Sequence, residues 1–320
     1  MVLILVSLIL MPMTPFKRFC LILALTAMWS PSFLFIKWAV ADLPPFTIVT
    51  LRVSMATAIF ALILVWKKRA LPTDLYFWVH SFIMALFSSV MPFVLFCYAE
   101  KTIESALAAI INGCSPMFTA LLAHICLPSD RIQPQKMLGI SLSAAGLMFL
   151  FAPNIQNGLS GTTMGIMAGA AAAFCYAISH VYAKKFIAGK APYIAPTAQL
   201  LCSSLIMAPL MLLADHPWNL AFPTIKAIAG VAGLCFFGTV LAFIIYYKLL
   251  EHCGPTAISM SACFFPVTGM LLGVIFLGET LSYANLGASV LIMAGLVLVN
   301  EMIDLKPIYE RLIQRKQAST

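Results

Sequence analysis

Apolar runs of about 17 to 25 residues follow one another along the whole chain, the length an α-helix needs to cross the hydrocarbon core of a bilayer. No other feature narrows the fold so far. Composition agrees: 62% of the 320 residues are hydrophobic and 9% are charged, against roughly a quarter charged in a soluble domain. The chain reads as an all-α membrane protein with ten transmembrane helices, at roughly 19–41, 45–66, 75–97, 105–126, 137–153, 162–184, 192–213, 225–247, 255–277 and 283–300. Ahead of them, "VLILVSLILM" is short for a span and lacks the basic start of a signal peptide. Residues 1–18 are therefore read as an N-terminal segment, either interfacial or the product of an upstream start codon.

Orientation follows from lysine and arginine placement. With both termini cytoplasmic, nearly every basic residue falls on the inner side, leaving Lys37, Lys101 and Lys226 outside and Arg52 within a span. The net charge of +8 is then a topology signal, and no nucleic-acid partner is needed to explain it. The tail, 301–320, reads as a cytoplasmic amphipathic segment. Nine cysteines lie almost entirely within apolar runs, without any Cys-x-x-Cys or Cys/His metal spacing. They read as small hydrophobes, with no metal and no cofactor implied.

The two halves resemble each other. A shift of 147 places Trp29 on Tyr176, Ser32 on Ser179, Lys37 on Lys184 and Arg52 on Gln199. A shift of 150 places Phe93 on Phe243 and Pro116 on Pro266, and "AAGLMFLF" (144–151) mirrors "MAGLVLVN" (293–300). Five spans per half is an odd number, so the second repeat is expected to be inverted relative to the first. The organisation is a repeat over 19–153 and a second over 162–300. Inverted repeats are a carrier architecture, with the site at the repeat interface near the midplane.

At these residues the chain resembles a family. "W-x-x-x-F-x-x-x-K" (29–37), "LPPFTIVTLRVSMA" (43–56) and "FFPVTGMLLGVIFLGETLSYANLGASVLIMAGLVLV" (264–299) are similar to the EamA-type drug/metabolite transporters. The resemblance covers residues 19 to 300. It implies ten helices, cytoplasmic termini, a central cavity and alternating access, most often exporting amino acids or other small metabolites. Two departures stand out. Trp29-Ser30-Pro31 replaces the usual Trp-Gly, and Leu127-Pro128-Ser129 replaces the Leu-Gly-Glu that the second half keeps at Glu279.

Every acid sits at a span end or in a loop, so a mid-membrane carboxylate relay is not expected. Arg52 lies about 10 Å below the outer boundary and needs a polar partner. That partner is either a loop carbonyl or rim acid (Asp42, Glu100 or Glu104), or the substrate path. His80 and His124 read as rim or packing residues, whereas His180 stands one turn beyond Tyr176 and next to Ser179, as a cavity candidate. Lys37, at a span end, is expected to snorkel to the outer interface.

Tyr98, Tyr246 and Tyr247 read as interface-belt residues. Pro31, Pro116 and Pro266 are expected to kink their helices, with Asn112 and Ser261 beside the latter two. Gly161, Gly165 and Gly169, with Gly269 and Gly273, make small-residue ribbons for packing within the monomer. The candidate substrate-binding set is Trp29, Ser32, Arg52, Asn112, Tyr176, Ser179, His180 and Ser261.

The leading reading is a secondary transporter exporting a small metabolite across a bacterial inner membrane, as a monomer or weak dimer. The alternative is an importer or flippase of a nucleotide-, vitamin- or lipid-linked substrate. No HExxH, GxSxG or mid-membrane aspartate pair occurs, so an intramembrane enzyme is not expected. A channel is disfavoured by the repeats.

Overall fold

Phe16–Val40, the first apolar stretch, is helical in the computed structural model, which describes residues 14–127, 132–155, 160–186 and 193–303. The apolar run within 1–13 and the tail from 304 lie outside the described residues. Among those described, all regular structure is helical, and eight helical stretches are long and apolar enough to cross a bilayer. Phe265–Leu277 and Tyr283–Val299 are shorter apolar helices.

In chain order the α-helices are α1 (Pro15–Trp29), α2 (Pro31–Val40), α3 (Pro45–Trp66), α4 (Leu75–Ala85), α5 (Met91–Glu100), α6 (Ser105–Asn112) and α7 (Ser115–Cys126). There follow α8 (Pro134–Ile155), α9 (Gly161–Phe186), α10 (Ile194–Leu210), α11 (Ile225–Cys235), α12 (Ala242–Ala262), α13 (Phe265–Leu277) and α14 (Tyr283–Val299). Helix starts follow from side chains that satisfy the first free N–H groups. Thr14, Asp74, Thr224 and Ser282 accept from Lys17, Phe77, Ala227 and Asn285 N–H respectively.

The three singled-out prolines each stand in the first turn of a new helix. A missing N–H costs nothing there, so the chain breaks ahead of each proline. The breaks at Gly113–Cys114 and Cys263–Phe264 are 150 residues apart. So are two π-helical turns, Leu86–Val90 and Phe236–Leu241, each joining two helices of one span. The break at Ser30 has no partner, because α9 runs unbroken from Gly161 to Phe186. One expected boundary is absent: backbone is helical from Ala242 to Ala262, through the loop expected at 248–254. The residues that mark that boundary by charge, Lys248 and Glu251, are good helix formers.

One end of the bundle is stitched by carboxylates, each serving a helix start in the other half. Asp215 accepts from Thr47 N–H and Oγ1 (2.6 and 2.8 Å) at the head of α3. Glu279 accepts from Ser105 and Ala106 N–H (2.7 and 2.9 Å) at the head of α6. Asp42 accepts from Thr224 N–H and Oγ1 (2.7 and 2.5 Å), ahead of α11.

The Thr224 hydroxyl, then its N–H, hold the exposed Asp42 carboxyl below its ordinary 3.8. A depressed carboxylate adds stability above its unfolded value and loses it as pH falls through the folded one. Melting of the purified protein should therefore drop more steeply below about pH 4 in wild type than in Asp42→Asn; equal slopes would remove this contact from the account.

Candidate functional site

A cavity of roughly 80 Å³ lies between the two halves, room for several waters. Its walls are aromatic. Trp29 packs on Tyr246 and Phe265 (centroids 5.8 and 6.3 Å), and Phe96 on Phe33 and Tyr176 (5.4 and 6.2 Å). The breaks before Pro116 and Pro266 supply a third side, with Asn112, Ser115 and Pro116 from one and Ser261, Ala262 and Phe265 from the other.

Three polar atoms in this wall are fully buried and have no hydrogen-bond partner: Ser32 Oγ, Asn112 Oδ1 and Ser115 Oγ. A buried polar group left unpaired costs about 1–3 kcal/mol, so three around one space mark positions where a solute can be held. Asn112 Oδ1 can only accept, which calls for a donor on the solute.

Arg52 is the one charged side chain lining the cavity among the described residues. It is 4% exposed. Its Nε donates to Thr239 Oγ1 (2.8 Å), its Nη2 donates to the Gly238 carbonyl (3.1 Å), and its guanidinium lies 3.6 Å over the Phe93 ring. Neither a rim acid nor a loop carbonyl is its partner. Both acceptors belong to the π-helical turn Phe236–Leu241.

The same brace occurs a second time. Gln199 Nε2 donates to Ser88 and Ser89 Oγ (3.1 and 2.9 Å), in the turn Leu86–Val90. A shift of 150 carries Ser88 onto Gly238 and Ser89 onto Thr239, and Arg52 already corresponds to Gln199 at a shift of 147. Each half thus grips the wide turn of the other from equivalent positions. Where the second half has glycine and no hydroxyl, the longer arginine reaches a backbone carbonyl. A Cβ at Gly238 would lie 2.7 Å from Ser32 Oγ and 3.2 Å from Arg52 Nη2, so glycine admits the guanidinium.

The structure brings together Trp29, Ser32, Arg52, Asn112, Tyr176, His180 and Ser261 from the sequence-predicted set. Ser179 is not among them. It is buried with its hydroxyl donating to the Tyr176 carbonyl (2.8 Å), a bond within its own helix that occupies the hydroxyl proton. Of the three prolines, Pro116 lines the cavity, while Pro31 and Pro266 do not.

Sequence reading also missed lining residues. Tyr246 and Tyr247 are buried, not interfacial, and Tyr247 Oη donates to Gln199 Oε1 (2.8 Å), the partner a buried phenol needs. Gln199, Tyr247 and Ser88 all line the cavity; the repeat signal at Gln199 was the one clue to them. Lys37 is half-buried at its span end and reaches the hairpin that follows α5. Its Nζ donates to the carbonyls of Glu100 and Ile103 (2.8 and 2.7 Å). His80 is a packing residue, stacked on Phe186 and bonded to Tyr182 Oη.

Residues 17–152 and 163–301 each match the EamA-like transporter family. A protein of Salmonella typhimurium named a probable amino-acid metabolite efflux pump is 28% identical over 284 residues, covering 86% of this chain and 92% of the relative. An uncharacterized transporter of Archaeoglobus fulgidus is 26% identical over 280 residues, covering 87% and 97%. The uncharacterized inner membrane transporter YedA of Escherichia coli is 23% identical over 294 residues, covering 91% and 94%. A solved crystal structure superposes with a TM-score of 0.66 at 19% identity, over 89% of this chain and 98% of that one, a likeness of fold alone. Matched in both halves, this integral membrane protein belongs to the EamA-like transporter family.

Proposed function

We propose that the chain is a secondary transporter that moves a small metabolite, an amino acid or a related compound, outward across a bacterial inner membrane by alternating access. One observation carries this: the cavity at the junction of the halves holds three buried oxygens without partners, set in an aromatic wall. Trp29, Ser32, Asn112, Tyr176, His180 and Ser261 are its binding residues, and Arg52 acts beside them through the wide turn it holds.

Ten spans in two inverted five-helix repeats, with both termini cytoplasmic, are the architecture this mechanism requires. Supporting the repeat are the twofold brace and the helix breaks recurring at a spacing of 150. Outward movement and the amino-acid class follow the printed name of the Salmonella relative, and the membrane follows that of YedA. The test is counterflow in proteoliposomes against a panel of amino acids, nucleosides and vitamins. Saturable uptake that requires internal solute supports a carrier, whereas conductance without saturation would sink it.

A further inference from the structure

Glu100, the last residue of α5, is fully buried and neither carboxyl oxygen has a hydrogen-bond partner. An ionised carboxylate in that setting is costly unless paired. The packing position does not call for an acid. A shift of 150 carries Glu100 onto Leu250, which is buried at 7% exposure in the second half. An acid where the repeat keeps leucine, with no hydrogen bond to either carboxyl oxygen, needs another reason to be there.

Its surroundings supply one. The hairpin that follows, residues 101–104, is pinned from two sides. Lys37 of α2 donates to the carbonyls of Glu100 and Ile103, and Glu279 of the second half holds the N–H groups of Ser105 and Ala106. Facing Glu100 are therefore Lys37 and Glu279, with Glu104 in the hairpin and Cys97 one turn back on α5. Lys101, exposed, turns toward Tyr98, and α9 presents Gly165 to this corner, with no charged group. One helical turn back from Glu100, next to Cys97, stands Phe96, in the cavity wall. The carboxyl thus lies between the cavity and the stitched end of the bundle.

We propose that Glu100 is a proton-binding site through which a proton gradient drives solute movement. The carboxylate takes a proton from hydronium when the hairpin is released, forming an O–H bond and leaving water. It returns that proton to water when the cavity side opens past Phe96. Lys37 and Glu279 are positioning residues that keep the site sealed in the state seen here. The inference rests on the carrier reading above, and adds its energy source.

The test uses full-length wild type, Glu100→Gln and Glu100→Leu in proteoliposomes, with a solute that shows counterflow. For one proton per solute, a one-unit pH gradient drives about tenfold accumulation. Wild type should reach that order, while both variants should lose accumulation and keep gradient-free counterflow within about twofold of wild type, since neither adds a charge. Accumulation by Glu100→Gln equal to wild type overturns the proposal. So does wild-type counterflow that ignores the pH gradient, or that answers to a sodium gradient instead, and those results leave the carrier reading standing. Absence of counterflow from every compound removes both.

Discussion

Arg52→Ala is expected to lower the stability of the purified protein by about 3 kcal/mol or more, and to lower transport with it. Two hydrogen bonds from a charged donor contribute about 1.5–3 kcal/mol each, and a desolvated cation over an aromatic ring adds about 2 kcal/mol. Truncation removes the bonds to Thr239 and the Gly238 carbonyl and the stack on Phe93 together. The Gly238 carbonyl is left facing a hole inside the membrane, where it finds no substitute easily.

Arg52→Gln should fare little better, because glutamine is too short to reach a backbone carbonyl where Gly238 has no side chain. The double variant Arg52→Gln with Gly238→Ser rebuilds the brace that Gln199 makes with Ser88 and Ser89, with the Ser32 hydroxyl rotating away from the new Cβ. It is expected to recover part of the loss, and melting curves of the four proteins give the coupling directly. Additive losses would mean that the two braces are not equivalent.

Gly295→Ala and Gly139→Ala carry the second large effect, on folding alone. Helices α8 and α14 approach backbone to backbone. A Cβ on Gly139 would lie 2.6 Å from the Gly295 carbonyl oxygen and 2.8 Å from Val299 N. Those atoms cannot rotate away, so the helices must part. Overpacking of this kind costs about 1–3 kcal/mol for a methyl, and leucine at either position should prevent recovery of monodisperse protein. Gly161→Ala is the control, since its new methyl meets only Thr102 at 3.5 Å. Size-exclusion profiles and melting temperatures decide it. Equal behaviour of Gly161→Ala and Gly295→Ala would refute close packing as the reason for the glycines.

Much of this was legible in sequence because membrane spans and repeats are long-range patterns that survive local ignorance. The shifts of 147 and 150 placed the right residues in correspondence, and the prolines marked where helices break. Contacts between helices were not legible. Hydropathy cannot show that α3 meets the wide turn of the span containing α11 and α12, so Arg52 lacked its partners and Gln199 its role. Tyr246 and Tyr247 looked interfacial because span ends are where tyrosine gathers; the helix continues past them instead. Glu100 looked like a rim residue for the same reason, yet it is sealed, while Lys37 bonds the hairpin at its own span end. The glycine ribbons on α9 and α13 were visible by their spacing of four. Gly139 and Gly295 stand on two different helices, and nothing in the sequence says that those helices meet.

Asn112 tests the central claim, that this cavity is a solute path. Its Oδ1 is buried without a partner, so a structural role would make the residue stabilising and a binding role would not. Asn112→Leu keeps the branch point and the number of side-chain heavy atoms and removes the unpaired oxygen, a change that is nearly neutral or stabilising when no bond is lost. Counterflow and melting should be measured on the same preparation. The account predicts saturable counterflow in wild type, its loss by about tenfold or more in Asn112→Leu as one hydrogen bond to the solute is removed and the solute's donor left unpaired, and a melting temperature unchanged or higher. Wild-type counterflow retained in full by Asn112→Leu, or a variant that loses transport only because it unfolds, would contradict it.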